Sequence, residues 1–383
     1  MNTAATECVL GEHRARWLPD GDSAFAAMTA LIDGAGLSVC LETYMVRAQA
    51  PADTLRAALL RACSRGVHIQ VLYDAFGSEG LDAHYFAPLR AVGAEVQVFS
   101  PARRLRLACR DHRKLLVCDG KRAIVGGFNI APEYLGDGVS RGWCDLAVEI
   151  AGPVAAQLAA SFAAMYALAP FSAASIRRFR RMVAATTAPS GPVSLLVSGP
   201  GWPRGRLRRS LNADLSRAAT VRCMSGYFLP PSRIRRALRR CRRRGGWVQL
   251  LLAGVTDVPV ARYAAEHLYG RLLAGGAELF EYQPQVLHAK LVIIDDTVYV
   301  GSCNLDRRSL NINYELLLRL EWPQLAARAR DLFGDALAHS QAVPAADWRQ
   351  RRHWWERLRA RAAYWLLTRI DPLLARRPLR PLS

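Results

Sequence analysis

Two stretches of this chain repeat one another in the same order, and that duplication limits the fold more than any other feature. The first runs LSVCLETYMV (37–46), a helical stretch LRAALLRACSRG (55–66) and VHIQVLYDAFG (67–77). The second runs ATVRCMSGYFL (219–229), IRRALRRCRRRG (234–245) and WVQLLLAGV (247–255). Each helical stretch stops at a glycine, Gly66 or Gly245, the residue that best closes a helix C-terminus. A second helix and short strand follow in both, FAPLRAVGAEVQVF (86–99) against YGRLLAGGAELFEY (269–282). Short apolar strands alternating with helices predict α/β layers. The expectation is therefore a duplicated pair of α/β lobes, 15–170 and 193–340, joined by the linker-like ATTAPSGP (185–192).

Each repeat then reaches the same polar pattern. The first reads HRKLLVCDGKRAIVGGFN, with His112, Lys114, Asp119, Gly126, Gly127 and Asn129. The second reads HAKLVIIDDTVYVGSCN, with His288, Lys290, Asp295, Gly301, Ser302 and Asn304. Side chains on a strand alternate faces, so each His shares a face with the Lys two residues on. An imidazole beside an ammonium makes a phosphate site: a nucleophile or acid next to a fixed positive charge. The glycines are expected to let a phosphate approach the backbone, and the asparagines to offer amide donors to its oxygens. A single His-x-Lys means little, because most lone histidines are solvated surface residues. Two full copies in matching contexts argue against chance.

Strand parity also carries a negative expectation. Asp119 and Asp295 stand seven residues beyond their histidines and fall on the opposite face, so neither is placed to orient its imidazole. WCDLAVEIAGP (143–153) aligns with NYELLLRLEWP (313–323), which pairs Asp145 with Glu315, each opening an apolar strand. These two are the expected histidine-orienting carboxylates.

Composition bears on partners. The 52 Lys+Arg against 32 Asp+Glu give a net charge of +20, which favours polyanions: nucleic acid, anionic lipid surfaces or phosphorylated substrates. Arginine clusters stand at Arg103, Arg104, Arg106 and Arg110, at Arg177, Arg178, Arg180 and Arg181, and at Arg204, Arg206, Arg208 and Arg209. Arg235, Arg236, Arg239, Arg240, Arg242, Arg243 and Arg244 crowd one predicted helix. For any one cluster a solvated face is the commonest meaning. The nine cysteines have no metal-ligand spacing and are expected to be buried free thiols, as in a reducing compartment. The opening MNTAATECVLGEHRAR lacks the apolar core of a secretory leader, and no unbroken apolar run reaches spanning length. Residues 346–375 form a basic amphipathic segment in which Trp355, Leu358, Ala362, Leu366 and Ile370 fall on one helical face. That stripe suits either a membrane interface or packing on the protein itself.

The duplicated motif resembles the signature of the phospholipase D superfamily, over about residues 18–335. Within it the flanks LETYMV (41–46), DHRKLLVCDGKRAIVGGFNIAPEY (111–134), CDLAVEIAGP (144–153), SGYFLP (225–230) and GSCNLDRRSLNINYE (301–315) are similar to the short, soluble bacterial cardiolipin synthases. The resemblance implies lobes built on mixed β-sheets flanked by helices, with the active site at the lobe interface. It implies chemistry without a metal or other cofactor. One His attacks phosphorus to form a phosphohistidine and the other serves as general acid and base. By resemblance His112 is the nucleophile and His288 the acid/base, the reverse being open. His112, Lys114, Asp119, His288, Lys290 and Asp295 make up the catalytic motif, and Asn129 and Asn304 hold phosphate with the lysines. One departure stands out: six residues separate Asp119 from Gly126 but five separate Asp295 from Gly301, a turn deletion that leaves Asp296 as a competitor for the role of Asp295.

The expected activity is transfer of a phosphatidyl group from a phospholipid such as phosphatidylglycerol to a lipid alcohol. Phospholipid hydrolysis and nuclease action are the alternatives within the superfamily, and a non-catalytic polyanion binder is the alternative outside it. Leu105, Leu107 and Ala108 among the arginines of the first loop, and the Trp-rich C-terminal segment, tilt the partner toward an anionic phospholipid membrane rather than nucleic acid. The expected place is the cytoplasmic side of the cell membrane, peripherally bound.

Overall fold

A computed structural model describes residues 6–100, 109–169, 173–186, 191–200, 205–345, 348 and 353–370. The expected Arg103, Arg104, Leu105, Arg106, Leu107 and Ala108 of the first loop, Arg204, and parts of the linker (187–190) and C-terminal segment (346–347, 349–352, 371–375) lie outside the described residues.

Two sheets carry the fold. The first holds β1 (Cys8–Leu10), β2 (His13–Leu18), β3 (Ser38–Thr43), β4 (His68–Asp74), β5 (Glu95–Phe99), β6 (Leu115–Cys118), β7 (Arg122–Gly126) and β8 (Ala147–Ala151). Its order is β1-β2-β8-β7-β6-β3-β4-β5. The second holds β9 (Val193–Ser198), β10 (Thr220–Ser225), β11 (Trp247–Val255), β12 (Glu278–Val286), β13 (Lys290–Ile294), β14 (Thr297–Gly301), β15 (Glu315–Glu321) and β16 (Ser340–Ala342). Its order is β16-β12-β11-β10-β13-β14-β15-β9. Read from the opposite end, this is the same arrangement, with β1 and β16 as the additions that differ. In both, the strands joined by helices pair in parallel (β3 with β4, β10 with β11) and those joined by hairpins pair antiparallel (β6 with β7, β13 with β14). The sheets are mixed and duplicated, as the repeat requires.

Helices α1 (Gly21–Asp33), α2 (Ala52–Ser64) and α3 (Ala87–Ala91) cover the outer face of the first sheet. Helices α4 (Pro153–Tyr166) and α5 (Ala173–Thr186) follow it. Helices α6 (Arg206–Arg217), α7 (Ser232–Arg243) and α8 (Pro259–Leu273) cover the second sheet, and the short α9 (Arg307–Asn311) precedes β15. Gly66 and Gly245, just past α2 and α7, both have φ of 83°, a left-handed conformation that glycine takes without strain. Helix α7 buries Ile234, Ala237, Leu238 and Cys241 and turns most of its arginines to solvent. The nine cysteines are all free, and six are buried.

The inner faces of the two sheets share one core. Leu115, Val117 and Val125 of the first sheet join Leu291, Ile293 and Val300 of the second, with Phe162 of α4 and Phe333 of α10 (Pro323–Ala338) between them. The Trp17 indole N–H donates across the lobes to the Leu325 carbonyl at 3.1 Å. A continuous apolar core of this kind holds the lobes in one geometry, which a site built from both of them requires. Among the described residues no helix is long and apolar enough to cross a membrane.

The motif aspartates close the hairpins on which the histidines ride. Asp119 (φ 56°) and Asp295 (φ 51°) take the left-handed conformation that Asp tolerates better than most residues. The Asp119 carboxylate accepts from the backbone N–H of Gly36, Leu37 and Ser38 at 2.8 to 3.0 Å. Asp295 accepts from Ala219 and Thr220 in the same way. Each aspartate thus ties its hairpin turn to the start of the neighbouring strand. The shorter spacing in the second copy lies in this turn, and Asp296 instead accepts from Arg330 at 3.1 Å at the surface. Asp119→Ala is expected to lower stability by about 1–2 kcal/mol while leaving turnover per folded molecule nearly unchanged. Denaturant melts alongside rate measurements check this.

Candidate active site

The His-x-Lys segments sit where the chain enters β6 and β13, and each is clamped to the acid-bearing segment of the other lobe. The His112 N–H donates to the Tyr314 carbonyl at 3.0 Å, and the His288 N–H to the Cys144 carbonyl at 2.8 Å. These backbone bonds place each imidazole against a carboxylate from the opposite lobe. His112 Nδ1 lies 3.1 Å from the Glu315 carboxylate, and His288 Nδ1 lies 2.6 Å from Asp145 Oδ2. Asp145 and Glu315, the pair aligned between the two copies, thus each stand against an imidazole, in a crossed arrangement. Asp119 and Asp295 are not brought to the imidazoles: they stand at the hairpin turns, roughly 16 Å of extended strand beyond the lysines.

His112, His288, Asn129 and Asn304 line one cavity of about 410 Å³ between the lobes. Lys114 and Lys290 are buried behind the histidines, each donating to the carbonyl of its own histidine, and Lys290 Nζ lies 2.7 Å from His288 Nδ1. The Asn129 amide donates to the Tyr134 hydroxyl at 2.7 Å. The Asn129 and Asn304 carbonyl oxygens are buried without a hydrogen-bond partner among the described residues.

The glycines serve a purpose other than the expected one. A Cβ on Gly127 would stand 2.2 Å from the Asp145 carboxylate, and one on Gly126 2.6 Å from the Leu146 carbonyl. A Cβ on Gly301 would meet the Leu316 carbonyl at 2.2 Å. They make room for the acid-bearing strand, not for phosphate. At the position matching Gly127 the second lobe has Ser302, whose hydroxyl donates to Glu315 at 2.5 Å. Gly127→Ala is expected to push Asp145 off His288 and cost about 10²-fold in turnover. Rates on a soluble short-chain phospholipid, with a melting curve as the folding control, check it.

Electrostatics divide the two halves. Burial, then Lys114, Lys290 and Arg110, hold His112 well below the usual imidazole range. Burial and Lys290 push His288 down to about 4. Burial lowers Lys114 to about 7 and Lys290 to about 8. The two acids part company. Burial lifts Glu315 to about 8, whereas Lys290 and His288 outweigh burial at Asp145 and hold it below the usual carboxylate range. Near neutral pH His112 thus faces a largely protonated partner, and His288 faces an ionised one. The surroundings differ too: the neighbours of His112, Asp111 and Arg113, are buried polar side chains, Arg113 pairing with Glu42 at 3.0 Å, where the second lobe has Leu287 and Ala289.

The cavity wall is more aromatic than the sequence argument foresaw. The Tyr44 ring lies tilted 5.0 Å from His112, and Tyr134 and Trp143 stand 5.2 and 5.6 Å from His288. Arg110 reaches the cavity beside Tyr44, donating to its hydroxyl at 3.2 Å. The available signal was position: Tyr44 and Tyr227 stand just past β3 and β10, at the carboxyl ends of parallel strands, where α/β sheets bind ligands. Among the described residues no group of three or more His, Cys, Asp or Glu side chains is set to hold a metal ion.

Residues 28–166 and 212–337 match the family described as "Cardiolipin synthase, PLD-like domain". The chain belongs to this family. It is 35% identical over 319 residues to cardiolipin synthase A of Pseudomonas entomophila, covering 81% of this chain and 65% of that protein. It is 32% identical over 352 residues to cardiolipin synthase A of Pseudomonas fluorescens, covering 89% of this chain and 72% of that one. Among solved structures, phosphatidylserine synthase of Haemophilus influenzae superposes with a TM-score of 0.74 over 94% of both chains at 13% identity. Polyphosphate kinase of Porphyromonas gingivalis superposes with a TM-score of 0.58, over 87% of this chain and 49% of that one, at 14% identity. At such identities these two superpositions speak to the fold alone.

Proposed function

We propose that the chain is a phosphatidyltransferase that makes cardiolipin from phosphatidylglycerol through a phosphohistidine. The observation that carries this is the crossed pair of imidazoles, His112 on Glu315 and His288 on Asp145, facing one cavity with a buried lysine beside each. The cardiolipin synthase relatives support the choice of lipid substrate.

In the first half-reaction neutral His112 attacks phosphorus through Nε2, forming a P–N bond as the P–O bond to the glycerol headgroup breaks. His288 gives its proton to the departing glycerol oxygen, and ionised Asp145 stabilises the imidazolium that must form beforehand. The anionic phosphodiester itself favours that protonation, since it brings negative charge to a buried site rich in cations. In the second half-reaction the terminal hydroxyl of another phosphatidylglycerol enters. His288 takes its proton, the oxygen attacks phosphorus, and the P–N bond breaks to give cardiolipin. Lys114, Lys290 and the amides of Asn129 and Asn304 hold the phosphoryl oxygens. Aromatic walls around His288 limit access of water to the phosphohistidine. The enzyme works peripherally, at the cytoplasmic surface of an anionic membrane, which the +20 charge and the nine free thiols support.

Purified protein incubated with phosphatidylglycerol vesicles and a chelator, with products read by mass spectrometry, tests the proposal. Cardiolipin and free glycerol are expected in equal amounts. Phosphatidic acid as the sole lipid product would make the chain a hydrolase, and cleavage of single-stranded DNA with no lipid product would make it a nuclease.

A pH profile follows from the same charges. Rising pH strips the proton from Lys114 near 7 and from Lys290 near 8, and with it the charge that holds the phosphoryl oxygens. With soluble substrate kcat/KM, measured between about pH 6 and 9, is expected to fall as pH rises through that range.

A further inference from the structure

Helix α11 (Trp354–Trp365) and the wider turn Leu366–Ile370 that continues it have no counterpart in either repeat. The packed side of this helix is made of small residues. Ala360 and Ala363 are buried, the Tyr364 ring lies 4.7 Å from that of His267 of α8, and Arg235 of α7 donates to the Tyr364 hydroxyl at 2.9 Å. Arg359 lies 3.7 Å above the Tyr263 ring. The stripe expected from periodicity is not the side that packs.

The opposite side is left open. Trp354, Leu358 and Trp365 are 70%, 58% and 57% exposed, and Trp355 and Leu366 are 46% and 42% exposed. At about 100° per residue these five fall within one sector of the helix. Isolated exposed apolar residues are ordinary, but three tryptophans and two leucines on one face form a patch that calls for a partner. Arg361 and Arg369 are exposed along the same face. The one carboxylate between 353 and 370, Glu356, is held at the helix start, where it accepts from the His353 N–H at 2.9 Å.

The helix also reaches the site. Leu367 and Thr368 line the cavity that holds both histidines, and Arg307 donates to the Thr368 carbonyl at 3.1 Å. We propose that this face of α11 is a membrane-docking surface that seats on an anionic bilayer and sets the cavity mouth at the headgroup level. Tryptophan, leucine and arginine on one helical face match the interfacial layer, where indoles bury their rings and guanidiniums meet lipid phosphates. Charge argues against a second copy of this chain as the occupant, because both copies carry +20. Delivery of lipid to the histidines rests on the transferase reading; bilayer binding itself does not.

The test uses the full chain and the triple variant Trp354→Ser/Leu358→Ser/Trp365→Ser, whose changes are at exposed positions. Co-sedimentation is measured with vesicles of phosphatidylcholine, with and without phosphatidylglycerol, together with the tryptophan emission maximum. Turnover is measured on short-chain phosphatidylglycerol below its micelle concentration. The expected result is wild-type binding to the anionic vesicles with a blue shift. The triple variant is expected to bind at least about tenfold more weakly with unchanged turnover on soluble substrate. Equal vesicle binding by both proteins overturns the proposal. So does a wild-type dimer in vesicle-free solution that the triple variant abolishes, since the face is then a self-interface. A failed transferase reading shows itself separately, as absent product from soluble substrate with vesicle binding intact.

Discussion

His112→Ala is expected to show no turnover with any phosphodiester donor, whereas His288→Ala is expected to regain the first half-reaction when the donor carries a good leaving group such as p-nitrophenol. The two imidazoles look alike in sequence, yet their partners differ. Glu315, raised to about 8, is largely neutral near pH 7, so His112 keeps a free lone pair with little tendency to become a stable cation. Asp145 remains ionised 2.6 Å from His288 Nδ1, an arrangement that stabilises the imidazolium a general acid must pass through. Removing a general acid costs ~10²–10⁴-fold for an alkoxide leaving group, but p-nitrophenolate departs without a proton. Removing the nucleophile closes the covalent route for every donor. A stoichiometric burst of p-nitrophenolate from His288→Ala, with an acid-labile phosphoryl adduct mapped to His112, is the expected pair of observations. Rescue of His112→Ala instead, with the adduct on His288, would reverse the roles.

The duplication into two like α/β lobes was legible because the repeat is carried by whole elements, and Gly66 and Gly245 mark the same helix ends in both lobes. Parity also removed Asp119 and Asp295 from contact with the imidazoles, since alternation on a strand is strict. What spacing along one chain does not reveal is which lobe supplies each acid. The crossing depends on backbone bonds between His112 and Tyr314 and between His288 and Cys144, contacts more than 140 residues apart that exist only once the lobes pack. The same limit explains the glycines. Gly127 faces the Asp145 carboxylate of the adjoining strand, a neighbour that a local pattern does not contain. In α11, periodicity located an apolar stripe but gave Ala360 and Ala363 little weight, and it is the small residues that let the helix approach α8 closely.

Asp145→Asn and Glu315→Gln, equivalent by sequence alignment, are expected to differ widely in effect. Asn at 145 removes the one carboxylate that stays ionised beside an imidazole, and with it both the charge that stabilises protonated His288 and the acceptor that fixes its tautomer. A loss of about 10³-fold or more in kcat is expected, with KM little changed. Gln at 315 replaces a largely neutral acid by a neutral amide of the same shape that still accepts from Ser302, so about tenfold or less is expected. Stability should move the other way. Glu315 is a buried acid with a raised folded pKa, so its contribution is fully present below the unfolded value near 4.5 and is lost as pH rises toward 8. Glu315→Gln removes that loss and is expected to flatten the fall in stability between those pH values. Asp145 has a depressed folded pKa, so its contribution is present above the unfolded value of 3.8 and lost on acidification. Asp145→Asn is therefore expected to be destabilised at neutral pH and to converge on the wild type in acid. Denaturant melts at pH 2, 4, 6 and 8, run beside single-turnover rates at the higher pH values, separate the two roles: equal kinetic penalties for the two variants would show that the lobes work as electrostatic twins, and the nucleophile would then have to be assigned by the adduct alone.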